Sequence, residues 1–312
     1  MSRAVDLSII VVTWNSAEVV SGCLRSIEEN PPKGSYEVIV VDNASADGTA
    51  PAVRRHFPVV RVISNRRNRG LAAANNQGLV ASGGDRLLIC NPDVVFQPQA
   101  IDALGAVLDR HPSAGWVVPR LRYRDGGLQT SAGDLPSLAQ ALLGRQADRR
   151  RRAGTASGFW WDGWPHAEER PIGRGHEAAY LLRRAAVIAV GLQDERYVLD
   201  WEGLDWTDRF RTAGWEVWLA PEAEVVHLGG HSIRQVPARW VISSHRGMYR
   251  YFSARRPLWW RPVLAVAITA RAVIKLATIE AGVPMYEWAH RDRKGGRAPD
   301  ETVVPDETVV PD

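Results

Sequence analysis

Two groups of side chains in this sequence have types and spacing suited to chemistry. The first group lies in the opening 95 residues. Asp93 stands in "LLICNPDVVF", directly behind a proline that closes an apolar run. Proline has no N–H to give to a strand ladder, so Asp93 belongs at a strand's exit. Thr13, Trp14 and Asn15 follow the run "LSIIVV", Asp42 closes "YEVIVVD", and Asn68, Arg69 and Gly70 precede "LAAANNQG". The second group is Glu177, Glu202 and Asp205, carboxylates able to take a proton, with His227 and His231 in "HLGGHS". Each has an ordinary alternative. Asn-Pro-Asp makes a good turn anywhere, Trp14 could be core, Arg69 could be a solvated arginine beside an N-cap, and a lone histidine is more often structural.

The elements that must position the first group read as strand and helix in alternation. Strands are expected at 7–13, 36–42, 59–64 and 85–90. Helices are expected from Ser16 to about Glu28, over "DGTAPAVRRHF", and over "GLAAANNQGLVAS". Such alternation with short links implies a parallel sheet covered by helices on both faces. Open sheets of this kind bind ligands beyond the carboxyl ends of their strands. Thr13–Asn15, Asp42-Asn43, the stretch after Ser64 and Asn91-Pro92-Asp93 all fall there, and that coincidence raises Asp93 above a plain turn.

The rest of the chain differs in character. Most of the 13 tryptophans lie beyond residue 115. A helix is expected over "EAAYLLRRAAVIAVG", another from Leu204 to Thr212 ending at Gly214, and short strands at "EVWLA" and "AEVVHL". "GRQADRRRRAG" reads as a solvated loop. In "PLWWRPVLAVAITARAVIKLATIEAGV" the uncharged run 262–270 is too short to span a bilayer. With Trp259-Trp260 at its start and Arg271 and Lys275 on one face, this segment fits a helix lying on a membrane surface. A terminal helix packed on its own domain is the alternative. The closing "ETVVPDETVVPD" repeat is expected to be disordered.

Composition is that of a globular protein, 45% hydrophobic and 24% charged. The net charge is +4, and five of the acids lie in the last 13 residues, so +4 without those five leaves a body near +9. A basic body suits anionic partners such as nucleotide diphosphates or lipid headgroups. Cys23 and Cys90 sit in apolar stretches, as core residues in a reducing compartment do, and not as a zinc or disulfide set. No basic leader with a long apolar core opens the chain, so no signal peptide is expected.

Six stretches in order, "IIVVTWN", "VIVVDNASADGT", "NRGLAAANNQG", "LLICNPDVVF", "LLRRAAVIAVGLQDERY" and "DWEGLDWTDRFRTAGWEVWLAPEAEVVHLGGHS", make the chain resemble family-2 inverting glycosyltransferases, rhamnosyltransferases among them. The resemblance covers roughly residues 7–260. It implies a glycosyltransferase-A fold: an α/β chain with a mostly parallel Rossmann-like sheet, an acceptor-side extension and C-terminal helices. The implied division is a nucleotide-sugar half at 1–120, an acceptor half at 121–256, an amphipathic helix at 257–290 and a tail at 291–312. The implied donor site takes Thr13, Trp14, Asn15, Asp42, Asn68, Arg69, Gly70 and Asn91. Trp14 can stack on a pyrimidine whose ring N–H Asp42 accepts, and a helix start beside Arg69 suits phosphate. Asp93 corresponds to the last acid of the family's metal motif, and His227 to a histidine that joins the metal in some relatives. Mg²⁺ or Mn²⁺ is the implied cofactor. The implied partners are a nucleotide-diphospho-sugar such as dTDP-L-rhamnose and a glycan or polyprenyl-diphosphate-linked acceptor, at the cytoplasmic face of the cell membrane, with no nucleic acid. A soluble tailoring enzyme and a silent sugar-nucleotide binder are the rivals.

The chain departs from the family in two places. Where an aspartate serves as the expected base, "WEGLDW" carries Gly203. Where a glycine usually precedes the "LLRR" segment, this chain carries Glu177. The candidate bases are Glu202 first, as neighbour of the expected position, then Asp205, more suited to orienting backbone or acceptor, and Glu177, whose alternative is a surface ion pair with Arg183 or Arg184.

Overall fold

The computed structural model describes residues 5–143, 158–229 and 236–280. The chain opens with β1 (Leu7–Thr13), α1 (Ala17–Glu29), β2 (Tyr36–Asp42), α2 (Thr49–His56), β3 (Arg61–Ser64), α3 (Leu71–Ala81) and β4 (Arg86–Cys90). It continues with β5 (Val94–Phe96), α4 (Ala100–Arg110), β6 (Ala114–Arg122), β7 (Leu128–Gln129), β8 (Ala132–Gly133) and α5 (Leu138–Leu143). Next come β9 (Arg170–Ile172), β10 (Arg174–Gly175), β11 (Ala179–Arg183), α6 (Arg184–Val190), α7 (Glu202–Thr212) and β12 (Glu216–His227). Two long helices, α8 (Pro237–Ala254) and α9 (Trp260–Glu280), follow.

One mixed sheet takes strands from the start of the chain to β12, in the order β3-β2-β1-β4-β11-β6-β12-β5. The first four strands are parallel. All seven residues of β1 are buried, which is why an unbroken apolar run suits this strand covered on both faces. On one face α1 and α4 bury Leu24, Ile27, Leu104 and Leu108 in a core with Val11 and Leu88. On the other, Trp116, Tyr180, Trp206 and Phe210 make the aromatic core.

Three expectations change. The segment 177–191 is not one helix: Ala179–Arg183 is a strand, antiparallel to β4 and β6, and only Arg184–Val190 is helical. Its apolar run "AYLL" is short enough to serve either state, and the vacant edge of β4 decides. "EVWLA" and "AEVVHL" are one twelve-residue strand, β12, with a register shift between Ala220 and Glu224. At the C-terminus, α9 continues through the charges to 21 residues and is long and apolar enough, by length and composition, to cross a membrane. The expected cationic stripe is turned inward. Arg271 donates to the Leu142 carbonyl at 2.7 Å and lies 2.8 Å from His245 Nε2, and Lys275 sits over the Trp240 ring. The outward face is apolar instead, with Trp259 68% and Val266 71% exposed alongside Leu258, Val263, Val273 and Ile274. His231, the arginine-rich loop and the ETVVPD repeat lie outside the described residues.

Candidate active site

Strand register joins part of the first group. β1 and β2 pair so that Thr13 lies opposite Asp42, and Thr13 Oγ1 donates to Asp42 Oδ1 at 3.1 Å. Ser45 donates to the same carboxylate through its hydroxyl and, at 3.2 Å, its N–H. Three donors hold this buried side chain still, and Oδ2 keeps acceptor capacity beside the half-buried Trp14. Asn15 turns the chain away with φ +47°, a left-handed conformation asparagine tolerates.

Asn43, read in the sequence only as a member of a strand-exit cluster with no role of its own, is a hydrogen-bonding hub. Its Oδ1 accepts from the Arg69 N–H at 2.9 Å, and its Nδ2 donates to Asn68 Oδ1 at 3.0 Å and to the Gly70 carbonyl at 3.2 Å. Gly70 has φ +87°, and a Cβ there would stand 2.8 Å from the Val198 carbonyl oxygen, so only glycine fits. The N–H groups of Arg69, Gly70 and Leu71 are already accepted by Asn43, Asn68 and Val198. An anion at the start of α3 would therefore meet the helix dipole and the Arg69 guanidinium more than these N–H groups. Arg69 leans on Glu195 at 3.7 Å, an exposed contact worth less than about 1 kcal/mol, and is free to turn.

Asp93 and His227 meet through the pairing of β12 with β5, which sets His227 opposite Val94. The Leu228 N–H donates to the Asp93 carbonyl at 2.9 Å, and His227 Nε2 lies 3.5 Å from Asp93 Oδ1. His227 Nδ1 faces Gln129 Oε1 at 3.1 Å, so a proton on Nδ1 leaves the Nε2 lone pair toward Asp93. One hard carboxylate and one imidazole fit a divalent ion whose other donors are diphosphate and water. Among the described residues no group of three or more such side chains gathers.

Asn91 donates its N–H to the Ala178 carbonyl at 2.8 Å, so the antiparallel β11 lays residues 176–178 beside the Asn91-Pro92-Asp93 turn. His176 packs edge-on against His227, with ring centroids 5.3 Å apart. Glu177 follows, half-buried. It does not pair with Arg183 or Arg184. Arg183 donates to the Ala114 and Leu108 carbonyls, and Arg184 to Gly84 and Ser82. The cation near Glu177 is Arg174, 6% exposed and held over the Trp160 ring at 3.8 Å. Arg174 and His176 were missed in the sequence. Their signal was the bracketing by Gly173 and Gly175 in "GRGHE", glycines that admit close backbone approach.

The other carboxylates hang from a strained corner. Asp200 and Trp201 have φ +72° and +75°, and a bulky residue there costs about 1–3 kcal/mol. Asp200 accepts from the Ser244 hydroxyl at 2.6 Å, Trp201 Nε1 lies 3.3 Å from the same oxygen, and the indole packs on Tyr251 and Phe252. This corner delivers Glu202 as the first residue of α7, 2% exposed, with Oε2 lacking a hydrogen-bond partner among the described residues. A helix N-terminus favours an anion by at most ~2 kcal/mol. Burial, then Glu177, then Asp200 act the other way and raise the Glu202 carboxyl well above the usual range. Asp205 lies one turn on, gripped by Arg209 and Arg255 at 3.1 Å each.

The sequence profile of glycosyl transferase family 2 matches residues 8–165. The N-acetylglucosaminyl-diphospho-decaprenol L-rhamnosyltransferase of Mycobacterium tuberculosis is 32% identical over 285 residues, covering 83% of this chain and 87% of that one. Among solved structures, the mannosyltransferase PcManGT of Pyrobaculum calidifontis, in complex with GDP-Man and Mn²⁺, aligns with a TM-score of 0.55 at 20% identity, over 92% of this chain and 79% of that one. S. aureus TarS 1-349 aligns at 0.52 and 15% identity, over 91% and 77%. These likenesses show the glycosyltransferase-A fold. With the profile match and the mycobacterial relative together, the chain belongs to glycosyl transferase family 2 and is a hexosyltransferase enzyme of that family.

Proposed function

We propose that the protein transfers L-rhamnose from dTDP-L-rhamnose, with inversion, to a polyprenyl-diphosphate-linked N-acetylglucosamine at the cytoplasmic face of the cell membrane. The observation that carries this reading is the likeness to the mycobacterial enzyme over 83% of the chain, a share that reaches past residue 165 into the acceptor side. The site's layout supports it. Trp14 offers a face to the pyrimidine and Asp42 an acceptor to its ring N–H. Arg69 lies near the start of α3 for phosphate. Asp93 and His227 are the residues that would hold a divalent ion, which supplies neutralisation of charge on the leaving diphosphate.

In the transfer, an acceptor hydroxyl oxygen forms the new bond to the anomeric carbon. The bond from that carbon to the diphosphate oxygen breaks, and the electron pair leaves with the nucleotide. The hydroxyl proton must go to a base on the face opposite the diphosphate. The exposed apolar surface of α9 and of Trp259 just before it supports a lipid acceptor, since Trp259, Val263 and Val266 suit an acyl boundary.

The test is turnover of dTDP-L-rhamnose with polyprenyl-diphosphate-N-acetylglucosamine in the presence of Mg²⁺ or Mn²⁺, with the anomeric configuration of the product read by NMR. Inverted rhamnosyl product is expected. Retained configuration, or transfer only from another sugar nucleotide, overturns the corresponding part of the reading.

A further inference from the structure

Gly203, in the first turn of α7, has no side chain of its own, and its place is taken by another residue. A Cβ at 203 would lie 1.9 Å from both Cδ and Oε2 of Glu177. The Glu177 carboxyl group thus fills the volume that a side chain on α7 would occupy. It reaches there from the stretch before β11, where its neighbours His176 and Ala178 contact His227 and Asn91. It therefore bridges the Asp93 turn and the acceptor-side helix, between the two halves of the site. We propose that Glu177 is the general base of the transfer, accepting the proton of the acceptor hydroxyl as the glycosidic bond forms, and that Gly203 exists to admit its carboxylate. This rests on the glycosyl-transfer reading above.

The neighbouring acids divide the work in its favour. Glu202 is almost fully buried, with one oxygen unpaired, and burial and then Glu177 hold its carboxyl well above the usual range. Asp205 is neutralised by Arg209 and Arg255. Glu177 is the most accessible of the three and faces Arg174 and Tyr180 from its own segment, and Asp200 and Glu202 from the α7 side. Burial raises its carboxyl, Arg174 lowers it and Asp200 raises it again, leaving it pushed up to about 7. A base with that affinity is ionised in part at neutral pH and holds a transferred proton well. Arg174, packed on Trp160 and pushed down only to about 10, stays charged and anchors the ionised form.

The experiment compares wild type, E177Q, G203A and the exchange variant E177A/G203D in steady-state transfer and in calorimetric donor binding. E177Q should lower kcat by roughly 10²–10⁴-fold with donor affinity nearly unchanged, and should lack the acid limb near pH 7 that the wild-type rate is expected to show. G203A makes a better helix, yet must push the flexible Glu177 tip aside. It should melt no lower than wild type and still lose at least tenfold in kcat. E177A/G203D puts a carboxylate back into the same volume from α7 and should recover turnover relative to E177Q. Full turnover by E177Q, or full turnover by G203A, overturns the proposal. Failure of wild type to transfer any sugar overturns the functional reading and this assignment with it. Wild-type transfer with an indifferent E177Q removes the assignment alone.

Discussion

Replacing Glu202 by glutamine gives a stability change whose size follows from the site. In the unfolded chain a glutamate loses its proton near pH ~4.3. In the folded protein Glu202 is held well above its usual range, by burial first and then by Glu177 and Asp200. Its stabilising contribution is therefore complete at pH below the unfolded value and is lost as pH rises toward the folded one. Wherever the unfolded chain has released the proton and the folded protein still holds it, wild-type stability falls by about 1.4 kcal/mol per pH unit from this group. Glutamine fills the same volume and carries no such slope. The stability of Glu202→Gln minus that of wild type should therefore grow as pH rises from ~5, by up to about 1.4 kcal/mol per unit, until Glu202 itself ionises. At ~2–4 °C per kcal/mol, melting temperatures should diverge by up to about 3–6 °C per pH unit. Paired thermal melts across that range, in one buffer series at constant ionic strength, measure it. A flat difference would mean that Glu202 ionises in the fold as it does in water, and would restore it as the leading base.

Other outcomes are equally open to measurement. Asp93→Asn should abolish the gain in donor affinity on adding Mn²⁺ while leaving the melting temperature within a few degrees; calorimetry with an unchanged metal effect would remove Asp93 from the ion site. Gly70→Ala forces a side chain into φ +87° against the Val198 carbonyl and should cost at least ~1–3 kcal/mol with weakened donor binding, whereas an unchanged melt would contradict the geometry. Val263→Asp with Val266→Asp should reduce vesicle flotation by roughly tenfold or more for each valine whose ~1.5 kcal/mol of burial is lost. Because Arg271 and Lys275 face inward, that flotation should change little with salt; strong salt dependence would return the binding to electrostatics.

By itself, the sequence determined the alternating strands and helices of the first half and the location of polar residues at strand ends. Both follow from local pattern: an apolar run of seven residues ending in a polar cluster needs no distant contact to be read. Thr13, Asp42, Asn91 and Asp93 were legible for that reason. The tertiary structure alone decided the rest. The "AYLL" segment became a strand because β4 offered an unpaired edge, and that antiparallel insertion carried Glu177 to the Asp93 turn. Arg271 and Lys275 share a helical face in the sequence, but which way that face points was set by His245, Trp240 and the Leu142 carbonyl. Positions 177 and 203 are 26 residues apart, and no periodicity relates them. That one carboxyl group occupies the space of the other's missing side chain is a property of packing, where volume is shared between residues distant in the chain.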